Sequence, residues 1–458
     1  MNHFRQVLLT LFSLSLPLAA AGKPPNIVIF LVDDMGWGDL GCYGNEVIHS
    51  PNLDQFATEG IRFTQCYSAC GVCSPSRSSI LTGRTPYRNG VWRWIPQGHA
   101  CHLRESEITL PELLRKEGYD TCHVGKWHLN GHFNSDKQPQ PDDHGYNHWM
   151  ATQNNAAPSH RNPRNFVLNG KPMGELQGFS APLVAREGVR WLKDIRDRKK
   201  PFLLSVWTHE PHLPIESAEQ FMKPYANIQD EGIRQHHGNI TQLDHAFGIV
   251  VKALDDLGLK DDTIVFFTSD NGPEGRGNKG RTRGSTGGLR GRKRDSHEGG
   301  IRVAGLVRWP GKIMPGSVSD IPVIGSDIFS TVLDITGIPL PSDRTIDGVS
   351  MVPAFDDKPL KRPVPLFWRT RIAPPASHAA LRIGDWKLVA NQSFNKFQLY
   401  EIQRDWKEEK DLAAEKPAKL AEMKSVFFEV LEGIEKEGPS EWWKKEPPRN
   451  RASKKSQN

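Results

Sequence analysis

Continuous apolar runs alternate with amphipathic stretches through the first three quarters of the chain. Residues 26–32 (NIVIFLV), 201–208 (PFLLSVWT) and 263–268 (TIVFFT) are rich in β-branched and aromatic residues without polar alternation, which predicts strands buried on both faces. A weaker run at 120–124 predicts a further strand. Between them, 52–59, 111–117, 182–196, 243–257 and 327–336 have the spacing of amphipathic helices. This alternation predicts an α/β fold, with a large mixed, mainly parallel sheet flanked by helices. After Pro363 the texture changes. Stretches 364–369, 379–391 and 396–402 read as antiparallel strands, with a helix near 416–435. The expected division is a large domain over 22–360, a small C-terminal α+β subdomain over 361–440, and a basic, solvated tail over 441–458.

Composition narrows the class. The chain has 458 residues, 37% apolar and 24% charged, which excludes collagen-like, disordered and polytopic membrane proteins. Its net charge of +6 admits an anionic ligand but is too small to argue for nucleic acid. Residues 1–21 carry Arg5, an apolar run over 7–18 and the small residues Ala19, Ala20 and Ala21. That is the layout of a secretory signal, and it predicts a periplasmic or secreted protein with no stable membrane insertion. The cysteines, at 42, 66, 70, 73, 101 and 122, cluster in the first part of the chain, so any disulfides would be local. Asn239-Ile240-Thr241 and Asn391-Gln392-Ser393 match glycosylation acceptors.

In an open α/β sheet, ligands bind at the carboxyl ends of the parallel strands. Reactive side chains follow four of the expected strands here: Asp33 and Asp34; Lys126 and His128; His209 and His212; Asp270 and Asn271. Asp33, Asp34, Asp270 and Asn271 offer hard oxygen ligands, suited to Ca²⁺ or Mg²⁺ rather than Zn²⁺. Adjacent carboxylates repel unless a cation neutralises them or one is protonated. Cys73 precedes Ser74 and Pro75, which predicts a short helix capped by Ser74 with Cys73 at its positive end. Cys70 and Cys73 form a CxxC, but no second pair follows to complete a zinc site. The GxGxxG at Gly275 to Gly280 lacks a following helical pattern and fails as a dinucleotide motif.

Cys73-x-Pro75-x-Arg77, continued by Leu81-Thr82-Gly83-Arg84, resembles the type I sulfatases of the alkaline phosphatase superfamily. Further stretches carry the same resemblance: 26–44, VGKWHL at 124–129, 144–149, EPHLP at 210–214, TSDNG at 268–272, 289–302 and GDWKL at 384–388. Departures are small, such as Asn130 where Gly often follows the Lys-Trp-His-Leu run. The resemblance implies an alkaline phosphatase-like fold and an arylsulfatase-like hydrolase. It implies that a formylglycine-generating enzyme oxidises Cys73 to formylglycine during export. Asp33, Asp34, Asp270, Asn271 and the modified Cys73 would hold one divalent cation, Ca²⁺ with Mg²⁺ as the alternative. Arg77 and Lys126 would hold the hydrated formylglycine, and Lys293 and His212 would bind the sulfate. The Pro211-His212-x-Pro214 context favours His212 over His209.

A gem-diol has two hydroxyls. One attacks sulfur in line with Asp270 as proton acceptor; His128 then deprotonates the other, and collapse to the aldehyde expels sulfate. The leaving alcohol takes a proton from His212 or Lys293. The loop 276–294 has eight basic residues and no acidic one. It either faces solvent or places Arg276, Lys279, Arg281, Arg283 and Arg290 around the substrate's neighbouring anionic groups. Trp92 and Trp94 either stack on sugar rings or pack in the core. The expected substrate is a sulfated sugar or aryl sulfate. The alternatives are a phosphodiesterase or phosphonate monoester hydrolase on the same scaffold, and a non-catalytic sulfated-glycan binding protein.

Overall fold

The computed structural model describes residues 23–275 and 283–438. The expected export segment 1–21, the tail 441–458, and Arg276, Lys279 and Arg281 lie outside the described residues, as does most of the Gly275 to Gly280 motif. No helix among the described residues is long and apolar enough to cross a membrane.

The main sheet comprises β1 (Asn26–Val32), β2 (Ile61–Tyr67), β3 (Asp120–Lys126), β4 (His148–Thr152), β5 (Val167–Leu168), β6 (Lys171–Pro172), β7 (Phe202–Trp207), β8 (Thr263–Ser269), β9 (Arg302–Arg308), β10 (Ser317–Ser319) and β11 (Val323–Ile324). Its eleven strands run in the order β10-β2-β9-β8-β1-β7-β3-β4-β5-β6, with β11 beside β2. Strands β8, β1, β7, β3 and β4 are mutually parallel, so their carboxyl ends open on one edge. Strand β9 is antiparallel to both β8 and β2.

The non-alternating run of β1 has a direct structural cause. Ile27, Ile29 and Leu31 enter the core on one face of the sheet, and Val28, Phe30 and Val32 enter the core on the other. Three helices cover the second face: Pro51–Glu59, Ser180–Arg190 and Glu231–Asp256, through Phe56, Val184, Leu243 and Phe247. The last of these begins at Glu231, ahead of the expected 243. Asp230 caps it by accepting from the Ile233 amide at 3.0 Å. Its first turns are polar and partly exposed, and further along Asn239 and Gln242 are buried and hydrogen-bonded inside the fold. Asn239 is therefore inaccessible as a glycosylation acceptor in the folded chain. Strands β2 and β9 were not expected: Arg62 interrupts the apolar run of the first, and Gly305 lies mid-run in the second, which Arg302 and Arg308 close at its ends. All six cysteines are thiols.

A second, antiparallel sheet follows, ordered β12 (Leu366–Arg369), β13 (Ala379–Ile383), β14 (Trp386–Ala390) and β15 (Phe397–Glu401). The stretch 379–391 turns at Gly384, whose φ of 55° favours glycine. One face of this sheet packs on the helix Pro417–Glu437 through Phe367, Leu388, Leu399, Phe427 and Leu431. The other face packs Trp368, Ala380 and Tyr400 against Tyr67, Ile301 and Ile324 of the main sheet region.

A buried ionic network joins the two sheets. Lys387 Nζ on β14 lies 2.8 Å from Glu298 Oε1 and 2.9 Å from Glu408 Oε1. The Tyr67 hydroxyl donates to Glu298 Oε2 at 2.7 Å. Burial raises the Glu298 carboxyl, but Lys387, Arg302 and Arg382 together hold it down at about 2. Removing the lysine would leave charge buried without its partner. Lys387→Ala is expected to destabilise the protein by about 3–5 kcal/mol in denaturant unfolding; a loss below about 1 kcal/mol would show that the network carries little of the docking.

Candidate active site

The parallel strand ends converge as their sequence order suggested. Strand β1 runs directly into Asp33 and Asp34, and β8 into Asp270 and Asn271. Asp34 adopts φ 67°, a left-handed conformation that Asp tolerates better than most residues. His128 (φ 57°) and Arg294 (φ 78°), flanking the same region, do likewise, the kind of local strain that collects at functional sites.

Cys73 is the first residue of the helix Cys73–Thr82, whose residues are all buried. The capping differs from expectation. Val72 is the N-cap and makes no side-chain capping bond, while the Ser74 hydroxyl instead accepts from the Ile95 amide at 3.2 Å. Cys73 nonetheless sits at the positive end of the helix. One turn on, Arg77 donates from Nε and Nη2 to Asp270 Oδ2 at 2.9 and 2.7 Å, and from Nη1 to the Lys126 carbonyl at 3.0 Å. Its guanidinium lies over the Trp207 ring, 5.3 Å from the centroid. This one side chain thus ties the ends of β8, β3 and β7 together.

Two more cations face the remaining carboxylates. Lys126 Nζ donates to Asp33 Oδ2 at 2.6 Å, and Lys293 Nζ lies 2.6 Å from Asp34 Oδ1. Asn271 Nδ2 donates to Asp34 Oδ1 at 2.7 Å, and the Asp34 amide donates to Asp270 Oδ1 at 3.3 Å. These charges shift one another's acidity. Burial pushes the Asp33 carboxyl up, but Lys126, His212, Arg77 and Lys293 outweigh it and hold Asp33 well below the usual range. Asp270 goes the other way, raised to about 7 by burial and by neighbouring Asp33. Burial also pushes the Cys73 thiol up to about 12, despite Lys126 and Lys293. An unmodified Cys73 is therefore a neutral thiol at pH 7.

The histidines divide by their partners. His212 Nε2 approaches Asp34 Oδ2 at 3.5 Å, whereas His209 Nε2 pairs with Thr152 Oγ1 at 2.8 Å and its ring packs on Phe166. His212, not His209, therefore joins the carboxylates. Its Nδ1 lies 2.6 Å from the Leu213 carbonyl, which can only accept, so the Nδ1 proton is spent there and neutral His212 presents a bare Nε2 to Asp34. Burial and Lys293 lower its pKa to about 4. By the same reasoning, His128 Nε2 donates to the Ile95 carbonyl at 3.1 Å, which leaves Nδ1 a buried lone pair without a partner. Burial and Lys126 keep His128 well below its ordinary value, hence neutral.

A divalent cation fits this donor set. Asp33, Asp34, Cys73 and His212 offer ligand atoms within 4.8 Å of one another. Asp33 Oδ1 and Asn271 Oδ1 are buried acceptors with no hydrogen-bond partner among the described residues. Buried oxygens of this kind suit a hard ion. Charge points the same way. Arg77, Lys126 and Lys293 already balance Asp33, Asp34 and Asp270 one for one, so an anionic substrate needs further positive charge to enter.

Other expected residues lie elsewhere. Arg290 donates to the Tyr400 hydroxyl at 2.8 Å and the Glu408 carbonyl at 3.0 Å, bracing the loop against the small sheet. Arg283 lies 3.4 Å from Asp230 at the N-cap of the helix Glu231–Asp256. Trp92 is buried in the core, and Trp94 packs against Cys70, Val72 and Ile372. One contributor escaped sequence reading. Glu274 accepts from Arg294 Nη2 at 3.0 Å and lies 3.9 Å from Lys293 Nζ. Glu298, through Lys387, anchors the same loop five residues beyond Lys293.

The Sulfatase family matches residues 25–338, and the family described as N-sulphoglucosamine sulphohydrolase, C-terminal, matches 291–436. The N-acetylgalactosamine-6-sulfatase of Mus musculus is 36% identical over 381 residues, spanning 77% of this chain and 70% of the relative. The steryl-sulfatase of Homo sapiens is 29% identical, spanning 74% of this chain and 70% of that protein. Among solved structures, Ps i-CgsB in complex with k-i-k-neocarrahexaose has a TM-score of 0.81 at 25% identity, over 91% of this chain and 94% of the other.

The donor set predicts a thermal response. After chelation, millimolar Ca²⁺ is expected to raise Tm by roughly 2–5 °C, and Asp33→Asn to remove most of that rise. An equal rise in the variant would take Asp33 out of the ion's shell.

Proposed function

This chain belongs to the sulfatase family and is a sulfuric ester hydrolase, and from that premise we propose that it removes sulfate from sulfated carbohydrates through a formylglycine made from Cys73. The observation that carries the mechanism is the thiol itself. Cys73 sits at a helix N-terminus among Lys126, Lys293 and the carboxylates, yet burial keeps it protonated, so the position is built for anion chemistry that an unmodified cysteine does not supply. A formylglycine-generating enzyme would convert it during export, and the layout of residues 1–21 supports a periplasmic or extracellular destination.

A sulfate ester is a poor electrophile because negative charge on its oxygens repels a nucleophile. A divalent cation held by Asp33, Asp34, Asp270, Asn271 and the modified Cys73 would neutralise that charge as it redistributes. A hydrated aldehyde at residue 73 would supply one hydroxyl to attack sulfur and a second whose deprotonation would expel sulfate and restore the aldehyde. The chain's own groups do the rest. Arg77 and Lys126 hold Asp270 and Asp33 in place and would hold the hydrated residue 73 between them. Asp270, beside residue 73, would accept the proton of the attacking hydroxyl. His128, neutral with a bare Nδ1, is a second base. Asp34 keeps Lys293 protonated despite burial, whereas His212 is neutral with its Nδ1 proton engaged by Leu213. Of the two candidate donors to the leaving oxygen, Lys293 is thus the one carrying an available proton.

The relatives support the sugar class: one is named N-acetylgalactosamine-6-sulfatase, and the Ps i-CgsB structure is in complex with k-i-k-neocarrahexaose. Paired aryl esters test the reaction type. The purified, converted enzyme is expected to hydrolyse 4-nitrophenyl sulfate with a kcat/KM at least about tenfold above that for 4-nitrophenyl phosphate, and Cys73→Ala to lower sulfate turnover by about a thousandfold or more. Preference for the phosphate, or an active alanine variant, would overturn the proposal.

A further inference from the structure

The segment that carries His128 is held by a residue just past the neighbouring strand. Beyond the last residues of β3 and β4 the parallel pairing continues: the Trp127 amide donates to the Thr152 carbonyl at 3.0 Å, and the His128 amide to the Gln153 carbonyl at 2.8 Å. At His128 the backbone leaves the sheet with φ 57°, a conformation that a residue with a side chain keeps only where its surroundings impose it. The Gln153 side chain adds two further restraints. Its Nε2 donates at 2.7 Å to the Asn130 carbonyl, just past His128, and at 3.2 Å to the Ile95 carbonyl, the same oxygen that His128 Nε2 meets at 3.1 Å.

These contacts close a ring. The His128 main chain bonds to the Gln153 main chain, the Gln153 side chain to Ile95, and Ile95 back to the His128 imidazole. A carbonyl oxygen has two lone pairs, and at Ile95 both have donors, which fixes the point on which the imidazole is anchored. Ile95 also reaches the helix that presents residue 73: its amide donates at 3.2 Å to Ser74 Oγ. The Ile95 main chain therefore spaces the base from the nucleophile. Ile95 is fully buried and joins this link through its main chain, so the side chain that pins its carbonyl beside His128 is Gln153.

Resting on the formylglycine reading above, we propose that Gln153 is a positioning residue for His128, holding Nε2 on Ile95 so that the bare Nδ1 meets the second hydroxyl of residue 73. In that step Nδ1 takes the hydroxyl proton, the electron pair left on oxygen closes the aldehyde, and the carbon–oxygen bond to the sulfate group breaks, its electron pair leaving on sulfate. Attack on sulfur comes earlier and does not use His128. Gln153 thus acts on the release of sulfate and not on its capture, a separation that general support of the fold would not produce.

The test uses 4-nitrophenyl sulfate, whose leaving group departs readily and so leaves the second step to limit turnover. Gln153→Ala and the shape-keeping Gln153→Met both remove the Nε2 donors. Rates are taken per aldehyde at residue 73, titrated with a hydrazide. A general base contributes about 10²–10⁴-fold, and displacing it without removing it is expected to lower kcat about tenfold, with KM falling in step, so that kcat/KM stays within about twofold of wild type. A burst of about one 4-nitrophenolate per site is expected to precede the slow steady state. In a His128→Ala background the same substitutions are expected to lower kcat by less than about twofold, because no base is left to place. An unchanged kcat in either variant, or a kcat/KM that falls as far as kcat, would overturn the positioning role while the sulfatase reading stands. Losses that add in full to that of His128→Ala would do the same. A wild-type enzyme inactive on every sulfate ester would instead overturn the functional reading and this role with it.

Discussion

Everything at this site depends on three carboxylates that the sheet forces into one buried volume. Asp33 and Asp34 leave β1, and Asp270 leaves the neighbouring β8, so backbone pairing alone brings their side chains together. Buried carboxylates without counter-charge would cost several kcal/mol each. The chain answers with three cations from three other places: Arg77 from a helix, Lys126 from β3 and Lys293 from a loop. The balance holds the site together but leaves no surplus positive charge for an incoming anion. That is the physical reason a divalent ion belongs to the account, and why the oxygen acceptors without partners matter more than the number of acids.

The same arithmetic explains features distant from the chemistry. Arg77 can point at Asp270 only because its helix starts at Cys73 and is buried along its whole length, with Trp207 beneath the guanidinium. Lys293 reaches Asp34 from a loop rather than a strand, and loops need restraint. Glu274 and Arg294 hold it on one side, and Glu298 fixes it on the other through Lys387 of the small sheet. The C-terminal sheet is therefore a positioning element for the loop that carries Lys293 as well as a second core. Two neutral histidines complete the arrangement, each with its tautomer set by a backbone carbonyl.

Much of this was legible in the sequence, for identifiable reasons. Strands β1, β7 and β8 are buried on both faces, so their apolar runs are uninterrupted, and the reactive residues follow them directly. Strands β2 and β9 were not legible, because Arg62 interrupts the first and Gly305 the second, whose ends are Arg302 and Arg308; the structure accommodates these arginines over Tyr43, Trp37 and Phe56. The start of the helix Glu231–Asp256 was hidden by polar residues that are satisfied internally, a tertiary fact no local pattern carries. The motif context pointed to His212 over His209, and the geometry brings His212 to Asp34. The capping of the Cys73 helix was misread because Ser74 bonds to Ile95, a residue far along the chain.

The central claim is that residue 73 does its chemistry as something other than a thiol. Peptide mass analysis of the purified protein tests this directly. The account predicts that the peptide containing residues 73–77 has lost the cysteine sulfur and carries an aldehyde that a hydrazide probe captures. An unmodified cysteine at position 73 in protein that hydrolyses sulfate esters would contradict it.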